Sequence, residues 1–197
     1  MKSTFAMLSV VLATFLSNPM AHAAAVASPA VAKAKPAADP LKALSRKYDK
    51  MGGVAWYQST SAPKYRNTNG MYLYFGKFDS GTITPLRLAV QYASDDWLFI
   101  TKAFAKADKT RIDFPQESGF SGWERDNGSG GIWEWSDVPV TGASDIAAVR
   151  AMAEAKSVTV RYEGKQYYND RNLSAKQLKG MREVIAAYEA ETKRPWK

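Results

Sequence analysis

Residues 114–138 read FPQESGFSGWERDNGSGGIWEWSDV and hold three of the chain's six tryptophans together with five glycines. Their last part, 132–138, alternates aromatic with polar residues, which is typical of a β-strand. The preceding run 127–131, NGSGG, predicts a loop that is mobile or carries positive φ angles. Two interpretations follow: a recognition loop beside an aromatic strand, or a long hairpin whose tryptophans are core.

Period-two patterns recur on both sides of this stretch, at 54–58, 71–75, 86–92 and 110–114. A continuous apolar run at 97–101 predicts a strand buried on both faces, and 105–109 predicts a turn. Further on, 157–162 and 165–168 flank Glu163-Gly164, a pair typical of a two-residue hairpin turn. Many short strands joined by short turns indicate an antiparallel β-sheet or sandwich.

Helical signals lie at the two ends of the predicted domain. Asp39-Pro40 is typical of a helix start, and the spacing of Leu41, Leu44 and Tyr48 predicts a short helix that ends at Gly52-Gly53. In the last third, Ser144-Asp145 predicts the cap of a helix through Ala155, with Ile146, Val149 and Met152 on one face. The run 174–177, SAKQ, is a capping box that opens a helix with an apolar face of Leu178, Met181, Val184, Ile185 and Tyr188. We therefore expect a strand-rich α+β fold with an N-terminal short helix and two helices in the C-terminal third.

The N-terminus predicts export. Met1-Lys2 precedes an apolar run at 5–16, and Ala21-His22-Ala23 matches a signal-peptidase site, so residues 1–23 are interpreted as a signal peptide cleaved near Ala23/Ala24. The run is too short to span a bilayer, which takes about 20 residues. Residues 24–38 predict a flexible Ala/Pro/Lys tether and 39–195 a single globular domain. No transmembrane segment is expected after cleavage, which predicts a periplasmic or secreted protein.

Composition excludes several chemistries. The chain has no cysteine, and its one histidine, His22, lies in the predicted signal peptide. Ser-His-Asp and Cys-His catalysis, His/Cys zinc sites and haem ligation by either residue are therefore excluded for the predicted mature chain. Without Lys2 there are 26 basic and 19 acidic residues, and this excess predicts either a solvated surface or contact with anionic polymers or lipids.

The carboxylates and glycines of residues 114–138 suggest three kinds of site: a pair of catalytic carboxylates, a calcium loop and a phosphate-binding loop. Glu124, Asp126, Glu134 and Asp137 could supply the two carboxyl groups of a glycosidase, with Glu124 and Glu134 as the first pair. A calcium loop that begins at Asp126 lacks acidic residues at its third and fifth positions. No Lys-Ser or Lys-Thr follows the glycines as in a phosphate-binding loop. We expect no metal and no cofactor.

Aromatic residues suggest a stacking surface for sugars, peptides or nucleic acid. In adjacent pairs such as Trp56-Tyr57 one member points outward. Trp133 and Trp135 share a face opposite Glu134, and we expect that face to be core. The candidates are Trp56, Tyr57, Tyr65, Trp97, Trp123, Trp133, Trp135, Tyr167 and Tyr168.

Three segments, 93–100 (ASDDWLFI), 123–126 (WERD) and 161–168 (RYEGKQYY), together with Ala187-Tyr188, resemble a domain of exported bacterial proteins and lipoproteins. The resemblance covers about residues 54–190. It implies an exported single domain and no active site, since that group has no assigned function. The chain differs from lipoproteins in lacking the anchoring cysteine.

These features favour a non-catalytic binding protein of the bacterial cell envelope. An inhibitor is one kind of such a protein. Alternatives are a carboxylate-dependent enzyme acting on glycans, and binding of anionic lipid or polymer by a basic surface. We expect a monomer whose partner is a protein or envelope polymer, and no nucleic acid. Arginines beside aromatic rings are typical both of binding hot spots and of structural caps on a sandwich. The predicted binding residues are Trp123, Glu124, Arg125, Asp126, Arg66, Tyr65, Tyr168 and Arg171.

Overall fold

The computed structural model describes residues 39–117, 119 and 122–196. The predicted signal peptide, 1–23, and the predicted tether, 24–38, lie outside these residues. None of the helices in the described ranges is long and apolar enough to cross a membrane.

Ten strands and two helices follow one another along the described part of the chain. The strands are β1 (Leu44–Asp49), β2 (Val54–Ser59), β3 (Gly70–Phe78), β4 (Arg87–Ser94), β5 (Lys102–Ala107), β6 (Thr110–Ile112), β7 (Glu124–Gly128), β8 (Gly131–Pro139), β9 (Val158–Glu163) and β10 (Tyr168–Asn172). The helices are α1 (Ala143–Glu154), between β8 and β9, and α2 (Ala175–Thr192), after β10.

The strands form two antiparallel sheets. The large sheet has the order β1-β2-β3-β4-β8-β7, and the small sheet has the order β10-β9-β5-β6. Residues 95–101, which we call the crossover segment, lead from β4 in the large sheet to β5 in the small sheet. The predicted strand-rich α+β fold with antiparallel sheets and two helices in the last third is confirmed.

The inner faces of both sheets and one side of each helix share a single hydrophobic core. In β3, for example, Met71, Leu73 and Phe75 point inward and are at most 1% exposed. The predicted apolar faces of the helices are confirmed: α1 buries Ile146, Val149 and Met152, and α2 buries Leu178, Met181, Val184 and Ile185. Burial of this much apolar surface is the main source of stability in a chain without disulfides.

Helix α2 lies close against β2 because Gly180 has no side chain. A Cβ at Gly180 would sit 2.2 Å from the Ser59 Oγ and 2.5 Å from the Ser61 Oγ. The helix start is the predicted capping box, in which the Ser174 hydroxyl accepts from the Gln177 N–H and the Gln177 side chain accepts from the Ser174 N–H.

The predicted N-terminal helix is wrong. Only Pro40–Ala43 forms a single 3₁₀ turn, capped by Asp39, and the chain then continues as β1. Of the residues that suggested a helix, Leu44 is buried but Tyr48 is 39% exposed. Antiparallel pairing with β2 over the whole length of β1 outweighs the weak helical spacing, as tertiary context often does.

Three other local predictions are corrected. The apolar run 97–101 forms no strand but the end of the crossover segment, and the predicted turn at 105–109 starts later because β5 extends to Ala107. The hairpin between β9 and β10 is joined by the four residues 164–167 rather than by two. In the crossover segment the apolar character was recognised, but hydrogen bonds from the amides of residues 98–100 to the distant Glu134 determine the backbone.

Candidate binding surface

Trp123, the first residue of the predicted recognition loop, is buried. Its side chain is 2% exposed, and its ring meets the Tyr162 ring edge to face with centroids 6.1 Å apart. The prediction that Trp123 lies on an exposed rim is therefore wrong, because the small sheet covers its ring. The glycine-rich loop is also shorter than predicted, since β7 and β8 are joined by the two residues 129–130.

Arg125 points inward and pairs with Glu134 on the neighbouring strand. The Arg125 Nε donates to the Glu134 Oε2 over 2.9 Å, and the two side chains are 15% and 0% exposed. The other guanidinium nitrogens donate to the carbonyl oxygens of Trp123 and Ile100, each over 2.6 Å. The Arg125 guanidinium is therefore engaged inside the protein, and its position gives no support to the prediction that it binds a partner.

The Glu134 carboxylate holds the crossover segment as well. Its Oε1 accepts from the backbone N–H groups of Leu98 and Phe99 over 3.0 and 2.9 Å, and its Oε2 accepts from that of Ile100 over 2.8 Å. A fully buried carboxylate is tolerated only when its charge and lone pairs are matched. Here one guanidinium and three amides match them, which makes Glu134 an anchor between the two sheets.

The predicted carboxylate pair is not brought together. Glu124 and Asp126 are exposed on β7, and because side chains alternate along a strand they lie on the face opposite Arg125. Glu134 is on the inner side with Arg125, so Glu124 and Glu134 are on opposite faces of the β7–β8 hairpin. In the described ranges, no group of three or more acidic or histidine side chains is placed to hold a metal ion.

Tyr168 and Arg171 lie on β10 of the small sheet, whereas Tyr65 and Arg66 lie in the loop between β2 and β3 of the large sheet. Tyr168 is 61% exposed and is covered on one side by the Arg161 guanidinium, 4.0 Å from its ring centre. The Arg171 guanidinium lies 5.7 Å from the Tyr92 ring centre, on the other side of β10. The predicted binding residues are thus distributed over both sheets and do not form one site.

The two faces of β8 are the reverse of the prediction. Ile132, Glu134, Ser136 and Val138 are buried, whereas Trp133 and Trp135 are half-buried on the outer face. The inner position of Glu134 forces this arrangement, because successive residues of a strand point to opposite faces. The outer face of the large sheet therefore carries indole rings.

More aromatic rings lie on the same outer face. The Trp56 and Tyr74 ring centres are 5.7 Å apart, and those of Tyr72 and Tyr74 are 6.1 Å apart. Together with β1 and the 60–69 loop they border an open groove of about 650 Å³. We call it the sheet groove. Its lining residues are Ser45, Lys47, Tyr48, Asp49, Lys50, Met51, Trp56, Gln58, Arg66, Tyr72, Tyr74 and Asp137.

The 60–69 loop, between β2 and β3, folds over the outer face and forms one wall of the groove. Arg66 lies over the Trp135 ring, with its guanidinium carbon 4.7 Å from the ring centre. Asn69 anchors the loop by two hydrogen bonds to the Ala93 backbone, of 2.9 and 3.1 Å. A Cβ at Gly70 would sit 2.4 Å from the Pro63 Cγ, so the loop requires glycine there.

A polar network holds the floor of the groove. The Tyr74 hydroxyl donates to the Asp137 Oδ2 over 2.6 Å, and the Arg87 Nε lies 2.9 Å from both the Asp137 Oδ1 and the Tyr74 oxygen. Burial and this bond to Asp137 raise the pKa of Tyr74, and burial raises the pKa of Tyr72. Both phenols stay neutral at physiological pH and present their ring faces to a ligand.

Within the described ranges, the cations around the groove lack ion-pair partners, whereas its carboxylates are bonded within the protein. Lys47, Lys50 and Arg66 are exposed, and none has a carboxylate within 4.0 Å among the described residues. Asp137 is paired with Arg87. The Asp49 Oδ1 accepts from the backbone N–H groups of residues 51 and 52 over 3.0 and 3.2 Å.

A second aromatic surface lies on the crossover segment. Trp97 and Phe99 stack with ring centres 5.7 Å apart and, with Tyr167, border a pocket of about 300 Å³. Phe99 is 40% exposed and has a φ of 55°, a conformation that is rare for a bulky residue. The anchor at Glu134 maintains this strained backbone.

Comparison of the chain with models of known protein families, with curated proteins and with solved structures gives no match. The resemblance to exported bacterial domains therefore has no support from these comparisons.

Sequence reasoning found part of the groove. Trp56 was a candidate for a stacking surface, as was Trp135, which lies beneath the groove residue Arg66. Arg66 was a predicted binding residue. Tyr72 and Tyr74 were missed, although their spacing of two in the predicted strand 71–75 places them on one face. Lys47 was missed because the predicted helix concealed that it lies beside Trp56, its partner in the β1–β2 register.

Proposed function

We propose that this protein is a non-catalytic binding protein exported to the bacterial cell envelope, and that it binds its partner in the sheet groove. The observation that carries the proposal is the outer face of the large sheet. A solvent-facing sheet surface normally carries mainly polar side chains, whereas this one carries Trp56, Tyr72 and Tyr74 in an open groove, and Trp135 beneath the groove residue Arg66.

The groove offers recognition chemistry. Partly exposed aromatic rings supply contact area at low entropic cost, and Arg66 against Trp135 combines a guanidinium with an indole, a pairing enriched at binding hot spots. The floor residues Tyr74, Arg87 and Asp137 are held by mutual hydrogen bonds, which lowers the cost of ordering on binding.

Catalysis is not favoured by the geometry. The carboxylates Glu124 and Glu134, on which the glycan-acting alternative depended, lie on opposite faces of a hairpin. Tyr74, the most perturbed titratable group in the groove, has a raised pKa and is therefore unsuited to act as a base near pH 7.

The binding face is tested by cosedimentation of the purified protein with bacterial cell-wall and membrane fractions. We expect the Trp56→Ala/Trp135→Ala variant to lose most of its recovery in the pellet. Tyr167→Ala/Tyr168→Ala, which removes two exposed rings elsewhere, is the matched control and should be recovered like the wild type. Circular dichroism checks that both variants remain folded. Equal recovery of all three proteins would contradict the proposal.

Export is tested separately. Expression of the full chain in a Gram-negative host, followed by osmotic-shock fractionation and intact-mass measurement, should give a periplasmic product that begins at Ala24. Retention of residues 1–23 in a cytoplasmic product would contradict the envelope location, while leaving the groove as a binding site to be judged by the first experiment.

A further inference from the structure

We propose that the ligand of the sheet groove is an acidic glycan, an extended chain of sugar rings that carry carboxylates. The inference rests on the proposed function, because it assigns a ligand class to the same groove. Four features carry it: the unpaired cations, the extent of the groove, its polar lining and the arrangement of its rings.

The cations favour an anionic ligand. Lys47, Lys50 and Arg66 border the groove without a carboxylate partner in the described part of the chain, while Asp137 is neutralised by Arg87. Solvated cations on a concave surface raise the local concentration of anions. The guanidinium of Arg66 also matches the planar shape of a carboxylate.

The extent of the groove favours a polymer over a small molecule. Its lining residues come from β1, β2, β3 and β8, and β4 lies between β3 and β8. Four strand spacings of about 4.8 Å separate β1 from β8, so the groove is about 19 Å long across the strands. Lys47 lies at one end, beside Trp56, and Arg66 at the other, over Trp135.

The polar lining favours sugars over nucleic acid. Gln58, Ser45 and the carboxylates Asp49 and Asp137 line the same groove. Sugar hydroxyls can donate hydrogen bonds to these oxygens, whereas phosphodiesters cannot donate and are repelled by carboxylates.

The rings are arranged as separate contact faces. Trp56 and Tyr74 are inclined by 59°, and Tyr72 and Tyr74 by 38°. Inclined rings do not form the parallel platforms on which successive bases stack in single-stranded nucleic-acid sites. Each can still contact the apolar C–H face of one sugar ring.

The test is calorimetric titration of the purified protein with a galacturonic acid oligomer, its fully methyl-esterified form and an oligodeoxythymidylate. We expect the acidic oligomer to bind, and esterification, which removes the charges but keeps the rings, to weaken binding at least about tenfold. Affinity for the acidic oligomer should fall as salt is added, since salt screens exposed charges.

Variants locate the site. Lys47→Glu/Arg66→Glu changes two exposed side chains that do not contribute to the core. This variant should bind the acidic oligomer about tenfold or more weakly than the wild type does. Trp56→Ala should also weaken it, while Lys106→Glu/Lys109→Glu, a charge reversal at exposed lysines of the small-sheet hairpin, should not. Equal loss in both charge-reversed variants would mean non-specific attraction and would overturn the assignment.

The remaining outcomes are also decisive. Equal binding of the esterified oligomer would overturn the acidic character of the ligand, and tighter binding of the oligodeoxythymidylate through the same residues would assign nucleic acid instead. If no oligomer binds but envelope recovery still depends on Trp56 and Trp135, only the glycan assignment fails. If envelope recovery does not depend on them, the proposed function fails as well.

Discussion

The Nε of Arg125 lies 2.9 Å from the Oε2 of Glu134 across the β7–β8 hairpin, inside the protein. These two residues are direct partners in the strand register, and both bind the crossover segment, Glu134 through three amides and Arg125 through the Ile100 carbonyl. The pair therefore connects the large sheet to the start of the small one. It also determines that Trp133 and Trp135 face outward.

Glu134→Gln should lower the free energy of unfolding by about 3–5 kcal/mol, because it leaves a buried guanidinium without its counter-charge. The amide group of glutamine also cannot accept from all the donors that face the carboxylate. Denaturant unfolding measures the change, and faster hydrogen exchange at the amides of residues 98–100 would localise it.

The matched control is Glu124→Gln on the exposed side of the same hairpin, which should change the free energy of unfolding by no more than about 0.5 kcal/mol. Equal effects of the two substitutions would show that the anchor contributes nothing specific.

Trp123→Ala should lower the free energy of unfolding by about 3–5 kcal/mol, the usual cost of removing a large aromatic ring from a core. Envelope binding per folded molecule should not change, because Trp123 is 2% exposed and lies away from the groove lining. Thermal melts together with the cosedimentation assay separate the two effects. Unchanged stability with lost binding would restore Trp123 as a contact residue.

Ser174→Ala should lower the free energy of unfolding by about 1 kcal/mol, because it removes the hydroxyl that caps α2. The control is Ser144→Ala at the start of α1, where no side chain caps the helix, and its effect should be close to zero. Urea unfolding of both variants gives the comparison. A larger loss at Ser144 than at Ser174 would contradict the assigned caps.

Asp108→Asn should reduce stability in a pH-dependent way. Backbone hydrogen bonds from Ser157 and Lys156 lower the pKa of the Asp108 carboxyl in the folded protein. A depressed folded pKa contributes stability above the unfolded value of about 3.9, and this contribution is lost as the pH falls through the folded pKa. Asparagine tolerates the left-handed φ of 51° at this position, so backbone strain does not obscure the comparison.

The difference between wild type and Asp108→Asn should therefore be constant near neutral pH and shrink below about pH 4. Unfolding curves across this range measure it. Asp96→Asn, at an exposed residue with no hydrogen bond or ion pair in the described ranges, should show no such trend. A difference that persists undiminished at the acid end would mean that the carboxylate charge is not responsible.

The confirmed predictions are those that depend on neighbours in the chain. The capping box at Ser174 and Gln177 and the buried faces of both helices involve residues within a few positions of one another, so local spacing is sufficient. Two of the predictions that failed, the N-terminal helix and the strand at 97–101, depend on distant partners. The strand β1 forms because it pairs with β2, and the crossover segment takes its shape from Glu134, which follows it by about 35 positions.

In the candidate site, too, some features follow from neighbours in the chain and others from distant partners. Alternation along 132–138 separates Trp133 and Trp135 from Glu134, but it does not indicate which set faces the core, and the greater hydrophobicity of tryptophan suggested the wrong one. Sequence by itself determined the strand-rich α+β class, the absence of cysteine and histidine chemistry in the predicted mature chain, and the helix boundaries near Ser174. Only the tertiary structure decided that Arg125 and Glu134 are inside and that Trp56, Tyr72, Tyr74 and Trp135 share the outer face of the large sheet. The physical reason is that a buried charge must find all its partners at once, and those partners come from segments that are brought together only by folding.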